Sequence, residues 1–258
     1  MLPIIFKPSK EYDLIRLGRN NEGGYLVEKN SILNSTSLIS FGLGYDWSFE
    51  KDYYNLKKCP IYCYDHTINY SIIKKYSRHW LGKFIRRLFN PKYFLKVISK
   101  NTVKNILLYR NYKKFFIGNV SHTKSRIGTE SGDLKLKDAL NATKNIPTFL
   151  KVDIEGSEYR ILEEIITYQK NFTGLAIEFH NVDLNLDKIT NFIKNFNLTL
   201  VHIHAENQAS VTDNNIPIQI EFSFAKNPKI VNSRPKIPHE LDQPSNPDLK
   251  DIELFFEN

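Results

Sequence analysis

At 258 residues and 41% apolar content, the chain is long enough to bury the core of one sizeable domain, and no second domain is required. The opening stretch MLPIIFKPSKEYD carries too short an apolar run for a secretory signal, and no segment approaches the roughly 18 apolar residues of a membrane span, so a cytoplasmic protein is expected. The net charge of +8 is local rather than general: thirteen of the 36 Lys and Arg residues fall between His66 and Lys114, where there is no Asp or Glu, leaving 23 against all 28 acidic residues elsewhere.

In chain order, the first signal is NNEGGYLV, where Gly23 and Gly24 either make a simple turn or bring the amino-terminal segment over a ligand. Then SLISFGLGYDWSFEKDYYNLKKCPIYCYD, residues 37–65, reads as strand, glycine turn, helix and second strand ending in an acid. Leu38, Ile39 and Phe41 form a buried-strand run, and Gly42 and Gly44, with Leu43 between them, allow a turn tight enough for a cofactor to sit against bare backbone. Asp65, with His66 beside it, stands where a carboxylate accepts hydrogen bonds from the ribose hydroxyls of an adenosine. Cys59 and Cys63 lie four apart on the second predicted strand, too close for a good intrastrand disulfide and too few for zinc, and read as buried thiols.

The basic segment 66–114 follows. Trp80, Leu81, Phe84, Ile85, Leu88 and Phe89 recur at helical spacing among Arg78, Lys83, Arg86 and Arg87, which predicts a basic amphipathic helix inserted after the second strand. Its apolar stripe packs on the core, or its cations, Arg86 and Arg87 among them, bind a phosphorylated substrate or an anionic membrane surface. Nucleic acid ranks last, because the excess charge is confined to one segment without a recognisable reading module.

Beyond the insertion, strands and helices alternate, as in a parallel sheet covered on both faces. KKFFIGNVS predicts a third strand ending near Ser121, which puts Asn119 and Val120 beside an adenine; PTFLKVDIEG predicts a fourth. SEYRILEEIITY predicts a helix capped by Ser157, GLAIEFH a fifth strand, LDKITNFIKNF a helix and LTLVHIHAEN a sixth strand. The seventh, IPIQIEFSF, follows a loop with Asp213, Asn214 and Asn215 and is expected to pair antiparallel to the sixth. A dinucleotide dehydrogenase would repeat its parallel unit and usually show a third glycine, whereas Tyr45, Asp46 and Trp47 follow Gly44. The pattern therefore predicts an α/β, Rossmann-like class I methyltransferase fold over residues 1–225, with a seven-stranded mostly parallel sheet, an antiparallel last strand and the basic helical insertion. Residues 226–258 predict an extended, Pro-rich strap anchored by Ile252, Leu254 and Phe255.

KVDIEGSEYRILEEI, residues 151–165, resembles the signature of FkbM-type methyltransferases, and RLGRNNEGGYLV, SFGLGYDWSFE, YCYDHT, IEFHN and VHIHAEN are similar to successive blocks of that family. HAEN departs from the His-Ala-Asn-Asn form of the sixth strand, and the long basic segment departs from the family's second connection. The resemblance implies S-adenosylmethionine as cofactor and methyl transfer to an oxygen, commonly on a sugar, here of a sugar nucleotide or a surface polysaccharide. Asp153 and His180 are then candidates for the base or its partner, with Glu178 on the same strand face as His180. The set Asp153, Glu178 and His180 also offers ligands to a divalent cation such as magnesium. Glu155, His202 and His204 are further candidates for contacting substrate. The rival from another class is a Rossmann-like binding module without turnover, contacting anionic membrane or nucleic acid through the insertion; a dehydrogenase is more distant.

Overall fold

The computed structural model describes residues 1–88, 97–144 and 146–257, with the side chains of 86–88 and 97–100 outside that description. A short amino-terminal module comes first: strands β1 (Glu11–Tyr12), β2 (Leu14–Leu17) and β3 (Tyr25–Glu28), then helix α1 (Lys29–Leu33). The main unit follows as β4 (Ser37–Phe41), α2 (Ser48–Lys57), β5 (Ile61–Tyr64), α3 (Tyr70–Leu88), α4 (Val97–Phe115), β6 (Val120–Thr123), α5 (Leu136–Thr143) and β7 (Thr148–Val152). It continues through α6 (Leu162–Thr167), β8 (Phe172–His180), α7 (Val182–Asn195), β9 (Thr199–Ala205) and β10 (Gln219–Ala225), and β11 (Ile230–Asn232) lies beyond it.

Seven of these strands form one sheet in the order β6-β5-β4-β7-β8-β10-β9. The β6, β5, β4, β7 and β8 neighbours pair parallel, whereas β10 runs antiparallel to both β8 and β9. The α/β class, the mostly parallel sheet and the reversed last strand thus match expectation. Strand alternation divides the apolar residues between two cores: Leu38 and Phe149 enter one, with α2 and the α3–α4 hairpin, while Ile39, Phe41, Leu150 and Val152 enter the other, with α5, α6 and α7. Cys59 and Cys63 are free and buried.

The basic insertion is a helical hairpin. Ile73 and Tyr112 are buried in the core beneath it, and Phe115 and Phe116 pack against that core, with the Phe116 ring 5.6 Å from Trp47. Those contacts overturn the predicted start of the third sheet strand, since Lys113, Lys114 and Phe115 end α4 and a turn at Gly118, with φ +64°, precedes β6. The helix after β7 also differs from expectation. Ser157 makes no side-chain cap bond; instead the Glu158 Oε1 accepts from Ile154 N at 3.2 Å and Gly156 N at 3.1 Å, and the chain forms a 3-10 turn over Glu158–Arg160 before α6.

The tail is an ordered strap. β11 pairs with β1, and Leu2 bridges to Phe256 through backbone bonds from Leu2 N to Phe255 O and Glu257 N to Leu2 O. Leu254 and Phe256 pack against the core, while Phe255, one of the predicted anchors, is exposed; alternation along an extended chain sends neighbours to opposite sides. No helix among the described residues is long and apolar enough to cross a membrane.

Candidate functional site

The carboxyl ends of β4, β5 and β7 open into a cleft of about 1640 Å³. Gly42, Leu43, Gly44, Asp65 and His66 line it together with Asp153, Glu155 and Glu178. The glycine turn requires glycine where it meets β7: Gly42 has φ +79°, and a Cβ there would lie 1.5 Å from the Asp153 carbonyl oxygen. At Gly44, φ is +52° and a Cβ would meet nothing within 4 Å, so this part of the turn faces open space.

Asp65 clasps the turn. Its Oδ2 accepts from Leu43 N and Gly44 N, both at 2.8 Å, and its Oδ1 accepts from Thr67 N at 2.5 Å and Thr67 Oγ1 at 2.6 Å. Burial alone would raise the Asp65 carboxyl, but these donors outweigh it and hold the group below its ordinary value. Glu50, in the first turn of α2, is fully buried at the same cleft. Ser40 Oγ donates to its Oε1 at 2.6 Å, and its Oε2 has no hydrogen-bond partner among the described residues. Burial raises the Glu50 carboxyl above its ordinary range, with Lys151 and Ser40 partly offsetting that.

The β7 and β8 tips join through Tyr25, which β3 delivers from the amino-terminal module. Its hydroxyl has one proton for two acceptors, Glu178 Oε2 at 3.0 Å and Asp153 Oδ2 at 3.2 Å. Gln219 Nε2 donates to Glu178 Oε1 at 2.7 Å. Burial, then the charges of Asp153 and other nearby carboxylates, pushes Glu178 well above the ordinary carboxylate range. Lys151, also buried, sits 3.7 Å from Asp153 Oδ2 and donates to the Gly42 carbonyl at 3.3 Å. Burial would lower this lysine, but Glu50, Asp153 and Glu178 hold it above its ordinary value. It stays charged and ties the glycine turn to the acidic tips.

His180 stands at the end of β8, behind the lining of the cleft. Its Nδ1 is 3.0 Å from Glu158 Oε1, and its Nε2 faces Glu178 Oε1 at 3.3 Å and Glu155 Oε2 at 3.5 Å. Burial would lower this histidine, yet Glu158, then Asp153 and Glu155, raise it. The donors of Asp153, Glu155 and His180 lie within 4.8 Å of one another, a spacing that suits a cation. Glu155 therefore joins Asp153 and His180 in this group, whereas the oxygens of Glu178 are taken by Tyr25 and Gln219. Glu155 holds φ +54° with its side chain 87% exposed at the mouth.

Two expectations fail, and a third lies beyond what is described. Asn119 and Val120 lie at the amino end of β6, with Asn119 O accepting from Ile61 N, because β6 begins at Val120 rather than ending near Ser121. The segment after its carboxyl end, Ser125, Arg126 and Ile127, lines the cleft instead. His202 and His204 do not reach the cleft, because the strap covers them: His204 Nε2 is 3.2 Å from the Asp251 carboxylate, and His202 Nε2 is 2.8 Å from Asp242 Oδ1, off the line of a hydrogen bond. The side chains of Arg86 and Arg87 lie outside the described residues.

Sequence reasoning missed Tyr25, Glu50 and Lys151. Lys151 carried a signal, being a lysine two residues before Asp153 inside a strand buried at every position, on the same strand face. Tyr25 carried none, since only the fold brings it to Asp153 and Glu178.

No protein-family model matches the chain, and no curated protein does. Among solved structures, an rRNA methylase from Streptococcus thermophilus aligns over 76% of this chain and 92% of its own, at 9% identity and a TM-score of 0.36. At that similarity the fold assignment rests on the strand order above, not on the neighbour.

Proposed function

We propose that the protein is an S-adenosylmethionine-dependent O-methyltransferase acting on a sugar hydroxyl. The observation that carries this is the sheet order: β4 and β7 are neighbours, so the glycine turn and the Asp153 tip open into one cleft, with β10 reversed beyond β8. The resemblance of residues 151–165 to the FkbM-type signature supports the same class and supplies the sugar as acceptor.

The residues present fit the cofactor. Gly44 leaves open space at the turn, Leu43 and Gly44 are held by Asp65, and the unpartnered Glu50 oxygen offers a carboxylate to a cationic ligand. S-adenosylmethionine, when bound, supplies an electrophilic methyl group. The chain must hold the acceptor hydroxyl in line and take its proton as the bond to carbon forms. We assign that contact to Asp153, whose Oδ2 is positioned by Tyr25 and Lys151. A neutral His180 is the second acceptor, fixed through Nδ1 by Glu158 so that Nε2 faces the carboxylates. A divalent cation held by Asp153, Glu155 and His180 would lower the hydroxyl's pKa; chelation followed by magnesium or manganese titration of the transfer rate tests that element alone.

Calorimetric titration with S-adenosylhomocysteine, and separately with NAD, tests the assignment. Micromolar binding of the former alone, lost in Asp65→Ala, is expected. Binding of NAD alone would move the protein to a dehydrogenase, and binding of neither to a module without turnover.

A further inference from the structure

We infer that the cleft-facing side of the α3–α4 hairpin is the acceptor-binding wall, built for a neutral or weakly charged glycan rather than for the diphosphate of a sugar nucleotide. This rests on the sugar-methylating assignment above and narrows its substrate. The first support is size: at about 1640 Å³ the cleft exceeds the roughly 300–1,000 Å³ that one small ligand fills, so room remains for a second beside the cofactor.

The second support is the chemistry of the wall. Tyr76 and Trp80 of α3, and Asn101, Lys104, Asn105 and Asn111 of α4, line the cleft. Tyr76 and Trp80 offer aromatic rings to the C–H side of a sugar ring, with Lys83 Nζ 4.9 Å from the Trp80 centroid, and the amides offer donors and acceptors to its hydroxyls, although Asn105 Nδ2 already donates to Asn101 O at 2.8 Å. The ends of those amides are short and uncharged, which suits a ligand that is polar but not ionic.

The third support is the placement of the described charges. Among the described side chains of the insertion, Lys104 is the sole Lys or Arg lining the cleft; Lys74, Lys75, Arg78, Lys83, Arg110, Lys113 and Lys114 do not line it, and the side chains of Arg86, Arg87, Lys92, Lys96 and Lys100 lie outside that description. Other cations at the cleft are engaged by acids: Arg19 pairs with Asp46 at 2.8 Å, Arg126 with Asp133 at 2.6 Å and Arg160 with Glu130 at 2.8 Å. A diphosphate is usually met by several unpaired cations or backbone amides. Lys104 alone, with no ion-pair partner among the described residues, suits at most one acidic group on the glycan.

The test uses the full chain with and without saturating S-adenosylhomocysteine. Trp80 reports on the wall, because the only other tryptophan, Trp47, is buried. Maltohexaose, cellohexaose, chitohexaose and UDP-glucose are titrated while tryptophan fluorescence is followed. Saturable change with at least one neutral hexasaccharide, absent in Trp80→Phe, is expected. The dissociation constant should rise roughly tenfold or more in a Lys104→Ala, Asn111→Ala double variant, both positions being exposed and the loss corresponding to one or two hydrogen bonds. No response to any neutral glycan, a response to UDP-glucose alone, or affinity unchanged in the double variant overturns the inference. Binding of S-adenosylhomocysteine without any glycan response removes the wall and leaves the methyltransferase; a glycan response without cofactor binding does the reverse.

Discussion

His180 and the pair His202 and His204 all sit in carboxylate-rich surroundings on strands of one sheet, yet only the first lies just behind the cleft lining, against Glu155 and Glu178. Their sequence contexts, IEFHN and VHIHAEN, are alike in alternation and apolar content. What separates them is the covering. His180 ends β8 beneath an exposed Glu155, whereas the strap lies over β9 and brings Asp242 and Asp251 onto the two later histidines. The charge states diverge accordingly: burial and the neighbouring His204 push His202 well below the ordinary histidine value. Burial would lower His204 too, but Asp251 and Glu221 outweigh it and raise it to about 10. What the rest of the chain lays over a strand histidine decides whether it stays near a cleft or is sealed beneath a strap.

The largest expected effect separates the two groups directly. Asp153→Asn should reduce methyl transfer by about 10²–10⁴-fold, the usual contribution of a positioned proton acceptor, while leaving binding of S-adenosylhomocysteine within twofold. Asp242→Asn, the same chemical change under the strap, should leave the rate constant near wild type. Equal losses in the two variants would erase the distinction between cleft and strap. Next in size, His204→Ala removes the cation that faces Asp251 and Glu221, 3.2 and 3.8 Å away, and should lower unfolding stability by about 3–5 kcal/mol in denaturant titrations, because it leaves buried charge uncompensated. The same variant should not alter the KM for S-adenosylmethionine.

The comparison also shows what was readable beforehand. Periodicity located β4, β5, β7 and β8 but gave no sign of α5, since parallel strands such as Ser37–Phe41 and Thr148–Val152 are buried at every position and bounded by turns. The glycine turn and Asp65 were legible because the chemistry of a tight turn demands particular residues. The third strand was misplaced because Phe115 and Phe116 look alike in a helix end and in a strand, and only packing against Trp47, Tyr112 and Tyr54 decides. Tyr25 was out of reach for a different reason: it meets Asp153 across 128 residues, and no local pattern encodes such a contact.

A pH series sharpens the comparison further. The His180 value is raised above about 6.5, the ordinary figure, so a neutral acceptor forms only above that, and the transfer rate should climb through a midpoint higher than an unperturbed histidine would give. Glu158→Gln removes the main partner holding the proton on His180, and the midpoint should fall toward the ordinary value. Stability follows the other group. Because the folded value of His204 lies above its unfolded one, its contribution is complete below pH about 6.5 and is lost as pH rises through about 10. Thermal melts should therefore decline over that alkaline window, and the decline should shrink in Asp251→Asn. A melt that declines instead below pH 6 would mean that the strap is held by something other than this pair.

The smallest effect belongs to Tyr25→Phe, which bears on how the amino-terminal module serves the cleft. The substitution keeps the ring packed edge-on against Phe49 at 5.7 Å and deletes only the hydroxyl. The hydroxyl's bond to Glu178 lowers that carboxyl against the larger effect of burial, so its loss should push Glu178 further up and leave it protonated. A protonated Glu178 has its own hydrogen to give, which limits the stability loss to about 1 kcal/mol, the net value of one hydrogen bond. Asp153, by contrast, keeps only Lys151, 3.7 Å from its Oδ2, and loses the hydroxyl that helps to fix that oxygen. Stability near wild type combined with a several-fold lower rate would identify Tyr25 as a positioning residue, whereas equal small changes in both would reduce it to a packing tyrosine.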